Sequence, residues 1–245
     1  MPKFFLPSGP DYNVDDIICL EGNDAFHISH TLRMKKGEKV VLTSTNRVEY
    51  LTEIYDIQKS SVSLQVLTIS KNDTEPKVYS SLFQALAKGD KMDTIIQKSV
   101  ELGVSEIYPV ASSRCVVKAC DDRASKKLER WNKISEEAAK QCGRGIIPKV
   151  HPIISFKEAL TKMKESDIHF ICYETSMENN PRALFENSTF SSVAFFIGPE
   201  GGIAPEEIEL AHSMSIPDVT LGKLILRTET ASSAVLSMIL YKTEF

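Results

Sequence analysis

The sequence predicts an α/β protein in two parts: a small β-barrel over residues 1–72, then a helix-covered parallel sheet over residues 73–245. Three observations predict it. Short strand-like runs separated by turn residues dominate the first 70 positions. The stretch Lys71-Asn72-Asp73-Thr74-Glu75-Pro76 is polar, ends in proline and reads as a linker. From Val78 onward strand-like and helix-like segments alternate to the end of the chain. With 245 residues, 42% of them hydrophobic and 25% charged, the chain can bury a packed core.

In the first part, Lys39–Leu42, Glu49–Ile54 and Val62–Ile69 read as strands, the last alternating Val62, Leu64 and Val66. Lys36-Gly37 and Thr45-Asn46 are turn signals, and Asp24–Arg33 reads as the one helical stretch. In the second part, strand Val78–Ala87 leads to Asp90, a good N-cap residue. The helix behind it carries apolar Met92, Ile95, Ile96, Val100 and Leu102 and stops at Gly103. Strand Ile107–Val110, a long helix over 121–143, strand Val150–Ile154 and helix Phe156–Lys164 follow. Next come strand Ile168–Tyr173, a short helix near Ala183, and strand Val193–Ile197. Helix Pro205–Ser213, strand Asp218–Leu221 and helix Thr230–Tyr241 finish the chain, with Pro205 in the first turn of its helix.

Composition excludes several classes. No apolar run approaches the roughly 20 residues that span a bilayer, and the Pro-broken N-terminus does not resemble a signal peptide. A soluble cytoplasmic protein without a membrane partner is the expectation. Cys19, Cys115, Cys120, Cys142 and Cys172 form no Cys-x-x-Cys pair, so buried free thiols are expected rather than disulfides or a zinc site. The net charge of −4 argues against a uniformly basic nucleic-acid binder. Residues 77–149 nevertheless hold 14 Lys/Arg against 9 Asp/Glu, and all the positive excess lies there. Such a segment suits RNA phosphates; it also suits a solvated helix face, since Lys126, Lys127, Arg130 and Lys133 share one helix.

Two segments carry the candidate chemistry. In Phe195-Phe196-Ile197-Gly198-Pro199-Glu200-Gly201-Gly202-Ile203 a buried strand ends in a glycine-rich turn that opens a helix. Ligands bind beyond the C-terminal ends of strands in open α/β sheets, where glycines let backbone N–H groups approach. The turn is neither a dinucleotide fingerprint nor a phosphate loop, and alone it fits a simple tight turn equally well. In Leu221-Gly222-Lys223-Leu224-Ile225-Leu226-Arg227-Thr228-Glu229-Thr230-Ala231 a second strand end precedes a helix whose first turn is expected to hold Arg227, Thr228 and Glu229. Glu229 suits the positive end of the helix dipole; Arg227 opposes it and makes sense facing an anion.

Together these two loops resemble those of the SPOUT superfamily of trefoil-knotted methyltransferases, and most closely the ribosomal small-subunit uracil-N3 methyltransferase family. Further matches are Lys98-Ser99-Val100-Glu101-Leu102-Gly103-Val104, Arg130-Trp131-Asn132-Lys133-Ile134, Glu137-Ala138-Ala139 and Gln141-Cys142-Gly143-Arg144. His27-Ile28 and Leu32-Arg33-Met34-Lys35 resemble the family's PUA-like leading domain. The resemblance implies a knotted C-terminal domain, a homodimer, S-adenosylmethionine as cofactor and 16S rRNA of the small ribosomal subunit as partner. Carried over by motif, Gly198, Pro199, Glu200, Gly201, Gly202, Leu221, Gly222, Leu226 and Arg227 are expected to line the cofactor pocket. The chain departs from the family pattern at Leu224, Lys140 and Lys3.

Methylating uracil N3 requires an unpaired base and loss of its proton, which spreads negative charge over the flanking carbonyls. Arg227 is the expected charge stabiliser, and Glu229 the candidate proton acceptor or the group that orients Arg227. Lys3, Arg33, Lys98, Arg114 and Arg144 are the candidate RNA contacts. A ribose 2′-O methyltransferase and a non-catalytic RNA-binding or ribosome-assembly protein are the alternatives. His27 and His30 have the spacing of a metal pair, but no clear third ligand joins them, so no metal is expected. Trp131 reads as a packing residue before a base-stacking one.

Overall fold

The computed structural model describes residues 1–6, 11–115, 124–176, 180–186 and 189–245. They form two compact units, one of residues 1–75 with 139–147, the other of residues 76–138 with 148–245.

The first unit contains strands β1 (Lys3–Phe5) and β2 (Ile17–Glu21), helix α1 (Gly22–Phe26), and strands β3 (Lys39–Thr43), β4 (Val48–Ile57) and β5 (Ser61–Lys71). They make a five-stranded sheet in the order β1-β3-β4-β5-β2, antiparallel except for β1 beside β3. Period-two alternation sends Val40, Leu42, Tyr50, Ile54, Val62, Leu64 and Val66 into one core with Phe4, Ile18 and Ile28. β1 and β2 carry too few alternating positions to stand out in the sequence. The expected helix 24–33 is shorter and looser: α1 gives way to a π turn over His27–Thr31, closed by Leu32 N–H donating to the His27 carbonyl at 2.9 Å. Arg33, at φ +53°, then ends it. His27 packs edge-on to Phe4 and His30 stacks on Phe26, so both rings serve packing.

A polar cluster ties residues 139–147 into this unit. Lys3 Nζ donates to Glu49 Oε1 at 2.6 Å and to the Gly143 carbonyl at 2.8 Å. Asn72 Nδ2 donates to the same two acceptors, at 2.8 and 3.2 Å. Arg144 Nη2 meets Glu75 Oε2 at 2.6 Å, with side chains only 5% and 7% exposed, and Gly145 N–H donates to Glu75 Oε1 at 2.9 Å. Burial pushes the Glu49 carboxyl up, but Lys3 and Asn72 outweigh it and hold it below the usual carboxylate range.

The second unit begins with β6 (Tyr79–Ala85), α2 (Lys91–Glu101), β7 (Glu106–Ala111) and α3 (Ala124–Cys142), whose last residues belong to the first unit. Strands β8 (Lys149–Val150) and β9 (Ile154–Ser155), helix α4 (Phe156–Met163), β10 (Ile168–Cys172) and α5 (Pro181–Glu186) follow. β11 (Ser192–Ile197), α6 (Pro205–Ser213), β12 (Asp218–Val219) and α7 (Thr228–Glu244) complete it. All these strands are parallel, in the order β12-β10-β11-β6-β7-β8, with β9 also on β7. The chain starts in the middle at β6, builds outward through β7, then returns to the other side through β10 and β11. The strand order therefore reverses between β6 and β11, where open α/β sheets place ligands.

β6 and β11 are buried almost end to end, as central parallel strands must be. One sheet face packs Phe83, Val110, Phe196 and Ile171 against Phe156 and Leu160 of α4 and Ile208 of α6. α7 packs against α2, β6 and β11. A capping box of Ser155 and Glu158 starts α4. Two local expectations are corrected. Asp90 occupies the N-cap position of α2, but its side chain makes no capping bond and lies 3.6 Å from Arg130 Nη2. Residues 150–154 are not one strand, because only Lys149–Val150 and Ile154–Ser155 pair with β7.

Cysteine burial is also corrected: Cys19 is exposed and Cys115, Cys142 and Cys172 are half-buried, all as free thiols. Cys120 lies outside the described residues. Trp131 is buried, consistent with packing, while Lys126, Arg130 and Lys133 are exposed. Arg130 pairs with Asp93 of α2, so part of the positive excess is matched on the same unit. Among the described residues no helix is long and apolar enough to cross a membrane.

Two outcomes test the polar cluster. Arg144→Met strands the Glu75 carboxylate and should cost about 3–5 kcal/mol in urea unfolding. Because the folded Glu49 pKa is depressed, its contribution is present above the unfolded value of about 4.5 and is lost as pH falls through the lower folded value. Glu49→Gln should therefore be less stable than wild type at pH 7, with the gap in urea midpoint closing as pH drops below about 4.5.

Candidate active site

Cys172 pairs with both Ile197 and Val219, so β10, β11 and β12 end level with one another. The chain leaving each strand must turn at the same height, and the three turns enclose a cavity of about 420 Å³. Its walls are Tyr173–Glu174 after β10, Gly198, Pro199, Glu200 and Gly202 after β11 and Thr220–Thr228 after β12, closed by Lys91 of α2 and Ala231 of α7. The two glycine-bearing loops read from the sequence thus lie side by side in one cleft.

Local chemistry fixes each wall. Gly198 has no room for a side chain, since a Cβ there would come within 2.8 Å of Ile203 Cγ1. Glu207 anchors the start of α6, accepting from Ala204 N–H at 3.2 Å and from Ser113 N–H at 2.8 Å. Thr228, the first residue of α7, is the central tie: its hydroxyl donates to the Gly198 carbonyl at 2.8 Å and accepts from Gln84 Nε2 at 2.9 Å. Among the described residues, nothing hydrogen-bonds the backbone of Lys223–Leu226, which leaves that wall with free main-chain donors and acceptors. Leu224 and Ile225 on the same loop are 80% and 85% exposed.

The charged groups are ordered. Glu200 Oε1 accepts from Lys91 Nζ at 2.9 Å and from Lys88 N–H at 3.1 Å. Burial alone would raise the Glu200 carboxyl; Lys91 and the backbone donors outweigh it and hold it below the usual range. Lys91 Nζ also lies 3.9 Å from Glu229 Oε2, an atom shielded from solvent and without a hydrogen-bond partner among the described residues. Two carboxylates thus share one ammonium.

Of the nine residues expected around the cofactor, Gly198, Pro199, Glu200, Gly202, Leu221, Gly222, Leu226 and Arg227 line the cavity; Gly201 does not. Arg227 is not in the first helical turn. It has extended backbone at the N-cap of α7, where its exposed side chain escapes the adverse dipole. Glu229 is absent from the cavity wall and turned toward Lys91. Arg114 borders the glycine loop, its Nη1 donating to the Gly201 carbonyl at 3.1 Å. Arg33 and Lys98 are exposed, Lys98 beside Glu101 at 2.8 Å. Lys3 and Arg144 are engaged internally, Lys3 being 8% exposed, so neither presents a free charge to a phosphate. Lys91, Tyr173, Glu174 and Thr228 were missed as wall residues, although Tyr173-Glu174 directly follow a strand end, which is the signal that marks such sites.

Thr228→Val removes the hydroxyl shared by Gln84 and Gly198. It should lower stability by about 1–3 kcal/mol in denaturant unfolding, because the Gly198 carbonyl loses its donor while Gln84 keeps only its bonds to the Ala85 and Ile197 carbonyls.

Comparison with known proteins agrees with this geometry. A family model described as an RNA methyltransferase domain matches residues 74–240, and one described as an RNA methyltransferase PUA domain matches residues 20–67. The chain is 35% identical over 230 residues to ribosomal RNA small subunit methyltransferase E of Bacillus subtilis, covering 92% of this chain and 90% of that protein. The Mesomycoplasma hyopneumoniae enzyme of the same name is 32% identical over 225 residues, covering 89% and 95%. Among solved structures, ribosomal RNA small subunit methyltransferase E from Neisseria gonorrhoeae, bound to S-adenosyl methionine, matches with a TM-score of 0.88 at 34% identity, over 98% of this chain and 97% of that one. A Legionella pneumophila methyltransferase in complex with the same cofactor matches with a TM-score of 0.88 at 29% identity, over 98% and 96%. A parallel sheet with level strand ends, a PUA domain ahead of it and near-full-length similarity together make this chain a member of the ribosomal RNA small subunit methyltransferase E family, within the SPOUT methyltransferases.

Proposed function

We propose that the chain methylates a uridine at base N3 in 16S rRNA, with S-adenosylmethionine as the methyl donor. The observation that carries this reading is the cleft between the loops 198–202 and 220–227. The residues fit the cofactor. A volume of about 420 Å³ lies in the range of small-molecule pockets, roughly 300–1,000 Å³. The free main-chain groups at 223–226 suit an adenine edge, and the surplus negative charge of Lys91, Glu200 and Glu229 suits a cationic ligand end.

When bound, the cofactor supplies an activated methyl group on a sulfonium sulfur. The residues' task is then placement, because an in-line displacement gains most from aligned reactants. N3 lies on the pairing edge of uracil, so the base must enter the cleft unpaired. Arg227, exposed at the cavity wall, faces incoming RNA and stabilises the charge that spreads over the uracil carbonyls as N3 loses its proton. Glu229 acts through Lys91, which it holds beside Glu200, and not on the base. Gly198, Pro199, Gly202, Leu221, Gly222 and Leu226 hold the cofactor, with Gly201 behind the wall braced by Arg114.

The reading extends to the whole chain. Residues 1–72 hold RNA and residues 73–245 transfer the methyl group, with Arg33, Lys98 and Arg114 as phosphate contacts. The exposed apolar Tyr241 of α7 and Phe245 just after it support a homodimer. The return of the chain from edge strand β12 to α7, packed on central β6 and β11, supports a trefoil-knotted domain, and the rRNA substrate argues for action in the cytoplasm.

Nucleoside mass spectrometry of 16S rRNA methylated by the purified chain should show 3-methyluridine; a ribose-methylated product instead would sink the base assignment. Arg227→Ala should cut single-turnover methylation about a hundredfold or more with unchanged thermal melting. Equal activity removes Arg227 from the mechanism.

A further inference from the structure

The cavity has a carboxylate that neither the charge ledger of Lys91, Glu200 and Glu229 nor the motif resemblance accounts for. Glu174 lines the wall just beyond the end of β10, beside Gly202. Among the described residues it has no hydrogen-bond or ion-pair partner, so both carboxylate oxygens are available to a ligand. Glu200 differs, being already bonded by Lys91 and the Lys88 amide.

Its position is set by backbone. Gly202 has φ +71°, and a Cβ built there would lie 2.7 Å from Glu174 Oε1, so the absent side chain is what admits the carboxylate. The same point lies 3.7 Å from Arg114 Nη1, yet among the described residues no ion pair joins Arg114 to Glu174. Two free oxygens on one rigid wall suit a pair of adjacent hydroxyls, the arrangement by which acidic residues after a strand read ribose.

We infer that Glu174 is the residue that binds the ribose hydroxyls of the adenosyl cofactor. Gly202 leaves the space it occupies, while the Glu200 cluster takes the cationic end. This rests on the cofactor reading proposed above.

The test is calorimetric titration of the full chain with S-adenosylhomocysteine and with its 2′-deoxy and 3′-deoxy analogues. Wild type should bind at least one deoxy analogue about ten- to hundredfold more weakly than the parent, as expected for losing a hydrogen bond to a charged group. Glu174→Ala should weaken binding of the parent by a similar factor and no longer distinguish the analogues. Glu174→Gln, which keeps one acceptor oxygen and the side-chain volume, should fall between. Tight parent binding by Glu174→Ala, or undiminished discrimination in it, overturns the assignment. So does unchanged binding with lost methylation, which would make Glu174 a proton acceptor instead. If wild type binds none of the three ligands, the cofactor reading itself falls, a result distinct from binding that Glu174 does not affect.

Discussion

The hydroxyl of Thr228 joins three parts of the chain that are far apart in sequence. It accepts from Gln84 on the central strand β6, donates to the carbonyl of Gly198 at the end of β11, and stands at the first turn of α7. Because all three are buried or half-buried, the bonds are made away from competing water and their loss exposes unpaired groups rather than rehydrated ones. The loop 220–227 is thereby held against the loop 198–202, and the cleft exists because both ends of this tie are fixed to sheet strands. Level strand ends give the cleft its floor; the tie keeps its two glycine walls together.

The electrostatic layout follows from the same scaffold. Lys91 begins α2, Glu200 lies in the loop after β11 and Glu229 lies in the first turn of α7. Three elements thus meet at one ammonium, with distances of 2.9 and 3.9 Å to its two carboxylates. The charge imbalance is built by geometry and not by a local sequence motif. Pairing also engages Lys3 and Arg144 internally: Lys3 serves the half-buried Glu49 and Arg144 the buried Glu75, both in the first unit.

Periodicity made most of this fold legible before any coordinates. The buried runs of β6 and β11 and the apolar stripe of α2 read directly from residue order. What stayed hidden depended on tertiary pairing. β1 is three residues long and gains its identity only beside β3; β8 and β9 are two residues each and look like one strand until their partners on β7 are known. At the site, glycine spacing marked both loops and the end of β10 marked Glu174 by position alone, whereas Lys91 carries no signal of its own because α2 brings it to the wall. Sequence alone also placed Arg227 inside the helix, since the extended backbone of an N-cap position leaves no trace in side-chain pattern.

The wall at 223–226 carries main-chain groups without partners among the described residues, while Leu224 and Ile225 are bare to solvent. Recognition by peptide groups is indifferent to the letter at each position, so long as the loop keeps its path. Substitution at the two exposed positions can therefore drift without disturbing what the main chain offers, and the departure from the family pattern at Leu224 is tolerable from within. Those outward residues answer instead to whatever docks from outside, so the same short loop records two histories, one kept by its backbone and one written on its side chains.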